Sequence, residues 1–262
     1  MAAHFQDYLL HLADNALILG QRNAEWCGHG PVLEEDLALA NNSLDLIGQA
    51  RLLYQHVAAV RKDGKTSEDL LAYFRDVPEF KNYTLLELPH STALAPTANG
   101  DRDYAVTIGR NFLYSALMVL VWDGLKSSSD AQLAAIAAKS LKEAQYHLRH
   151  AHDWLLRLGD GTDTSHAKMQ SAIDHLMPYT QEFFAPSAME TAVSKSGLGV
   201  DTQLLQATWN QLVDDALAAA TLIRPATGGY VSTGKFGVHS EHLGFVLAEM
   251  QSLARAHPEA VW

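Results

Sequence analysis

The stretch KEAQYHLRHAHDW, residues 142–154, has the residue types of half a di-iron site at almost the right spacing. A helix that grips one ion of a carboxylate-bridged pair carries Glu-x-x-His, because residues three apart share a helical face. His147 is in place. The residue three before it is Ala144, which has no ligand atom, and the nearby acid, Glu143, comes one step too early. Glu143 could approach the same face only from a rotated angle. The alternative is an exposed Glu143 beside a buried, hydrogen-bonded His147.

A bundle of this kind takes one Glu from each of two helices and a Glu-x-x-His from each of the other two. The stretch ALANNSLDLIGQAR, residues 38–51, puts Asp45 where a Glu would stand and Gly48 where its His would stand. Asn41, Asp45, Gly48 and Leu52 share one face, which reads as a ligand remnant or as a polar network. QRNAEWCGHG offers Glu25 as a lone carboxylate, or as an exposed acid near a helix end. RNFLYSALMVLVWDG offers only Ser115, beside an apolar stripe of Phe112, Leu113, Ala116 and Val119.

Strand signals are scarce, and the elements that would position these residues read as helices. Apolar residues at helical spacing predict a helix over 5–26, ending at Gly28-His29-Gly30-Pro31, and a second over 33–62, stopped at Lys62-Asp63-Gly64. Residues 64–100, with Pro78, Pro89 and Pro96, read as a long crossover with a helical start. A third helix is expected over 101–126. Asp130 caps a fourth over 131–158, Ser165 caps a fifth reaching about 184, and two more fit 202–222 and 239–256. Four long helices with a long connection between the second and third give an all-α fold, a ferritin-like helical bundle with additional C-terminal helices. The whole chain, 1–262, is read as one ferritin-like domain.

Composition narrows the partners. The formal net charge of −11 and the lack of a basic stripe argue against nucleic acid and against an anionic membrane. A single cysteine, Cys27, cannot form an internal disulfide, and a packed thiol is expected. The start MAAHFQDYLLHLADNA lacks a basic leader, and the apolar run ALMVLVW is too short to cross a bilayer. A cytoplasmic location is expected.

The segments NALILGQRNAEWCGHGP, EEDLALANNSLDLIGQARLLY, KEAQYHLR, HDWLLRLGDGTDTSHAKMQSAI and TGGYVSTGKFGVHSEHLGFVLAEMQ resemble the C-subunit family of the bacterial phenylacetyl-CoA 1,2-epoxidases. These multicomponent enzymes act in phenylacetate catabolism. The resemblance spans nearly the whole chain and is weakest over 64–100. It implies a ferritin-like structural subunit that pairs with a homologous catalytic A subunit, the di-iron centre lying in that partner and no cofactor in this chain. Self-association of the isolated chain stays open. Laid onto this chain, the catalytic relative's six ligand positions fall on Glu25, Asp45, Gly48, Ser115, Ala144 and His147, of which Gly48, Ser115 and Ala144 supply no metal-binding acid or imidazole. The resemblance therefore implies neither metal ligands nor catalytic residues here.

Residual core acids without cations are costly, so a compensating charge is expected from Arg22, Arg51, Arg110 or a protonated His147. A second reading keeps one metal on Glu25, Asp45, Glu143 and His147. A third, an iron store, is disfavoured by the degraded ligand set. The loop GYVSTGKF nearly spells a phosphate-binding loop but has Phe236 in place of the hydroxyl residue. Lys235 is kept as a candidate phosphate or partner contact. His239 and His242, three apart, could clip a metal but more often cap a helix.

Overall fold

The computed structural model describes residues 2–94 and 102–260. Pro96, read as part of the crossover, and Asp101, read as the start of the third helix, lie outside the described residues. Among the described residues are ten α-helices and no strand: α1 (Ala2–Ala24), α2 (Leu33–Arg61), α3 (Glu68–Tyr73), α4 (Thr84–Glu87), α5 (Tyr104–Leu125), α6 (Ala131–Gly159), α7 (Asp163–Leu176), α8 (Ala188–Lys195), α9 (Gln206–Ala219) and α10 (Glu241–Ala256). The chain is all-α, consistent with a ferritin-like bundle carrying extra helices after its four long ones. It forms two compact units. One comprises Met1–Leu88 with Thr233–Trp262, the other Pro89–Ser232.

In the first unit α1 and α2 form a hairpin. Gly20 allows the close approach. A methyl group there would stand 3.2 Å from Ile47 and 3.4 Å from the Ser43 carbonyl. At the turn, Gly28 takes a left-handed φ of +78°. Glu34, Glu35 and Asp36 in the first turn of α2 oppose the helix dipole, and Lys62 closes α2 in the left-handed conformation.

A buried ion network ties the crossover to this hairpin. Asp14 on α1 accepts from the Tyr54 hydroxyl at 2.6 Å, from Arg75 Nη1 at 3.1 Å, from Arg75 Nη2 and from the Lys81 amide at 2.8 Å. Burial, then the Asp14 charge, pushes the Tyr54 hydroxyl well above the usual tyrosine range. The C-terminal segment is pinned to the same crossover. Gln251 on α10 donates to the Ala72 and Arg75 carbonyls, and Glu87 accepts from the Ser240 amide, His239 Nδ1 and Asn82.

In the second unit α5 and α6 form the other long hairpin, with Asp130 accepting from the Leu133 amide at 2.7 Å as the cap of α6. Among the described residues α5 is the one helix long and apolar enough to cross a membrane, yet 89% of its most apolar window is buried inside the protein. It is a core helix. Gly109 lets α7 approach it, and Trp209 on α9 donates to the Leu113 carbonyl at 3.1 Å.

Two expectations on local structure need correction. The cap of α7 is Thr162, not Ser165. Ser165 occupies the third helical position and returns the bond to the Thr162 amide in a capping box. The α-helix then stops at Leu176, and Met177–Phe184, with its early proline, tightens to 3-10 geometry. The crossover is also more structured than a helical start. It holds α3, the 3-10 turn Val77–Glu79 and the fully buried α4.

Candidate functional site

The six ligand positions are split between the two units, three in each. In the first unit Glu25 follows the last residue of α1. Arg22, one turn earlier, donates through Nη1 to both carboxylate oxygens, at 2.9 and 3.1 Å. The two side chains are 4% and 14% exposed, so the pair is largely desolvated. Arg22 also holds the Glu87 carbonyl through Nε at 3.1 Å and Nη2 at 2.5 Å. The guanidinium is thus fixed from both ends, and the cation expected beside Glu25 is Arg22. Arg51 instead pairs with Glu68 at 2.9 Å on the surface, and the buried Arg110 stands 2.9 Å from His90 Nδ1.

On α2 the buried residues include Leu39, Asn42, Leu46, Gln49 and Leu53. Asp45 and Gly48 are half-buried, and a methyl group on Gly48 would meet nothing within 4 Å. The polar face of Asn41, Asp45, Gly48 and Leu52 therefore lies beside the packed side of α2, with Asn41 exposed. Its polarity needs no metal to explain it.

In the second unit Ser115 on α5 and Ala144 and His147 on α6 are all buried. Asn111 lies one turn before Ser115 and Ser140 one turn before Ala144, and both are buried too. Asn111 and Ser140 thus bring one neutral amide and one neutral hydroxyl close to these positions. Glu143 accepts from Lys139, one turn earlier, at 2.7 Å. Asp45 and His147 are also engaged with other groups of the protein.

Two irons need bridging carboxylates that no cation has already claimed. Here one acid is held by Arg22, another by Lys139, and Gly48, Ser115 and Ala144 supply no carboxylate or imidazole. The residues present do not fit the pair. Among the described residues no group of three or more His, Cys, Asp or Glu side chains is arranged to hold a metal.

The other signals resolve into packing. Lys235 is 2% exposed, in a 3-10 turn whose glycine, Gly234, stands against Asn82 and Thr84. A phosphate or partner could reach it only if that turn opened. His239 places Nδ1 2.8 Å from Glu87 and Nε2 2.9 Å from the Phe80 carbonyl, so both nitrogens face acceptors inside the fold. His242 is buried in the first turn of α10, whose cap is Ser240. Cys27 is exposed, not packed as expected, because the turn after α1 buries its neighbour Trp26 instead.

Sequence reasoning missed the Asp14–Tyr54–Arg75 network. The signal available was three polar residues on otherwise apolar stretches, too far apart in the chain to be paired by spacing.

Two long helical hairpins with further helices after them define a ferritin-like helical protein. The chain belongs to the family described as phenylacetic acid catabolic protein, which matches residues 2–262. It is 46% identical over 255 residues to the C subunit of the 1,2-phenylacetyl-CoA epoxidase of Escherichia coli (strain K12), an alignment covering 97% of this chain and 98% of that one.

Proposed function

We propose that this chain is the non-catalytic subunit of a cytoplasmic phenylacetyl-CoA 1,2-epoxidase, pairing with a homologous A subunit that carries the di-iron centre. The relative's name makes it one subunit of such an enzyme. The observation that carries the non-catalytic assignment is the Arg22–Glu25 pair. A carboxylate whose two oxygens both accept from one nitrogen of a buried guanidinium is neutralised where a metal ligand would have to stay free, and breaking such a pair to admit a metal costs several kcal/mol. The chain then acts by shape. It presents a rigid helical surface that fixes the partner's active-site helices.

The test is co-expression with the catalytic subunit, purification of the complex, and oxygen-dependent turnover of phenylacetyl-CoA with and without this chain. The expected result is a stable complex, no turnover by this chain alone, and turnover by the partner that depends on its presence. Turnover by this chain alone would overturn the proposal.

A further inference from the structure

The first unit holds a groove of about 970 Å³ between α3 and α10. Leu70, Tyr73 and Phe74 form one wall, spaced so that they share a face of α3 and its end. Met250, Leu253 and Ala254 form the other, at the same spacing on α10. The walls are fixed to each other. Gln251 donates to the Ala72 and Arg75 carbonyls at 3.2 and 3.1 Å, and Arg255 Nε donates to the Tyr73 carbonyl at 3.2 Å. The two helices do not close on each other along this face, where Leu70 is 44% exposed and Leu253 57%. A fixed apolar cleft of about 300–1,000 Å³ is the usual form of a small-molecule site.

The charge beside the groove is acidic. Glu68 and Asp69, in the first turn of α3, both line it, and among the described residues no lysine or arginine does. Arg51, which is not part of the lining, pairs with Glu68 through Nε and Oε1 at 2.9 Å, on a side chain that is 67% exposed. A pair so exposed holds its acid weakly. The other carboxylate oxygen of Glu68, Oε2, is buried and accepts no hydrogen bond. It gives up nothing by turning toward a donor in the groove, and a buried acceptor without a bond favours that turn. Asp69 is exposed, and its charge acts on the Tyr73 hydroxyl. Burial first and that charge second raise this hydroxyl above the usual tyrosine range. Two carboxylates thus stand beside an apolar cleft that also presents two aromatic rings.

We propose that this groove is a binding site for an organic amine, with a primary ammonium head at Glu68 and Asp69 and an aromatic or branched alkyl body between α3 and α10. The head is cationic because the acids that line the groove are matched by no lining lysine or arginine. It is not a bare metal ion. Adjacent residues of a helix do not share a face, and among the described residues no third ligand joins these two acids. The body is apolar because both walls are, and the rings of Tyr73 and Phe74 offer faces that attract an ammonium as well. None of the six ligand positions lies in the groove, and the site stands or falls independently of the epoxidase assignment.

Methyl-labelled methionine reads the site by NMR in the full chain, because Met250, one of six methionines, lines the groove. The probe is 2-phenylethylamine, with 2-phenylethanol as its uncharged isostere and phenylacetate as its anionic counterpart. The expected result is a saturable shift of the Met250 methyl resonance, assigned by its loss in Met250→Leu. The dissociation constant is on the order of 1 mM for so small a ligand. The alcohol and the anion bind more weakly by about tenfold or more. Glu68→Gln with Asp69→Asn weakens the amine by about tenfold or more, and Leu253→Ser, at an exposed position, by about threefold, while the circular dichroism stays that of wild type. Arg51→Gln removes the competing cation and tightens binding by about twofold or more. A Met250 methyl that does not move at about 10 mM amine overturns the proposal. So does equal binding of the alcohol, a double variant that binds as wild type does, an Arg51→Gln chain that binds more weakly, or equal shifts at all six methionine methyls.

Discussion

Replacing Arg22 by methionine removes the cation while keeping most of the unbranched stem. Four hydrogen bonds go with it, two to Glu25 and two to the Glu87 carbonyl. Removing the donors of a buried carbonyl costs about 1–3 kcal/mol, and stranding one partner of a buried ion pair costs about 3–5 kcal/mol. The two overlap, and Glu25, whose side chain is 14% exposed, can turn partly toward water. The expected loss is therefore near the lower end, about 3 kcal/mol. For a chain of this size that lowers the melting temperature by about 6–12 °C. Urea unfolding followed by circular dichroism and tryptophan fluorescence measures it. The double variant Arg22→Met with Glu25→Leu should recover most of the loss, because an apolar pair can replace a buried ion pair at little cost. A single-variant loss below about 1 kcal/mol, the value of an exposed pair, would refute the reasoning.

Further outcomes follow from the same geometry. Gly48→Ala should raise stability by about 0.5–1 kcal/mol in chemical unfolding of the monomer, since the added methyl meets no atom and helix propensity improves. Asp14→Asn should cost about 3–5 kcal/mol by the same assay, because it leaves the 8%-exposed Arg75 without its charge partner. Asp63 accepts from the Thr66 amide and hydroxyl and from the Lys65 amide, and these bonds, the Thr66 amide first, hold its carboxyl down to about 2. A depressed carboxyl stabilises the fold above its unfolded value, about 4, and that contribution fades as pH falls through the folded value. An NMR titration of Asp63 should show it, and Asp63→Asn should remove that part of the acid dependence.

The long helices are legible because their apolar spacing runs for several turns and their ends carry plain signals, such as Asp130 before α6 and Gly159 at its close. The short elements are not. Helices α3 and α4 have too few residues to show a period, and α8, capped by Ser187, is scarcely longer. The cap of α7 is ambiguous in the sequence because Thr162 and Ser165 are both good capping residues, and only the reciprocal bonds decide between them.

At the positions that the resemblance picks out, the chemistry on offer is fixed by residue type alone. Ala144, Ser115 and Gly48 lack the needed carboxylate or imidazole whatever the geometry. What could not be read is the packing of α2. Leu33, Leu37 and Leu44 are as apolar as the buried Leu39, Leu46 and Leu53. A helix with two apolar sides gives no inward direction from its sequence, so the setting of Asp45 and Gly48 needed the structure. The pairing of Arg22 with Glu25 was within reach, since three residues on a helix place side chains together.

Iron content of the purified chain, measured by mass spectrometry after growth in iron-rich medium and again after anaerobic reconstitution with ferrous iron, tests the central claim most directly. With Glu25 held by Arg22 and three ligand positions lacking donors, the iron should stay far below one per chain and should not respond to Glu25→Ala. Two irons per chain, lost on Glu25→Ala or His147→Ala, would contradict it.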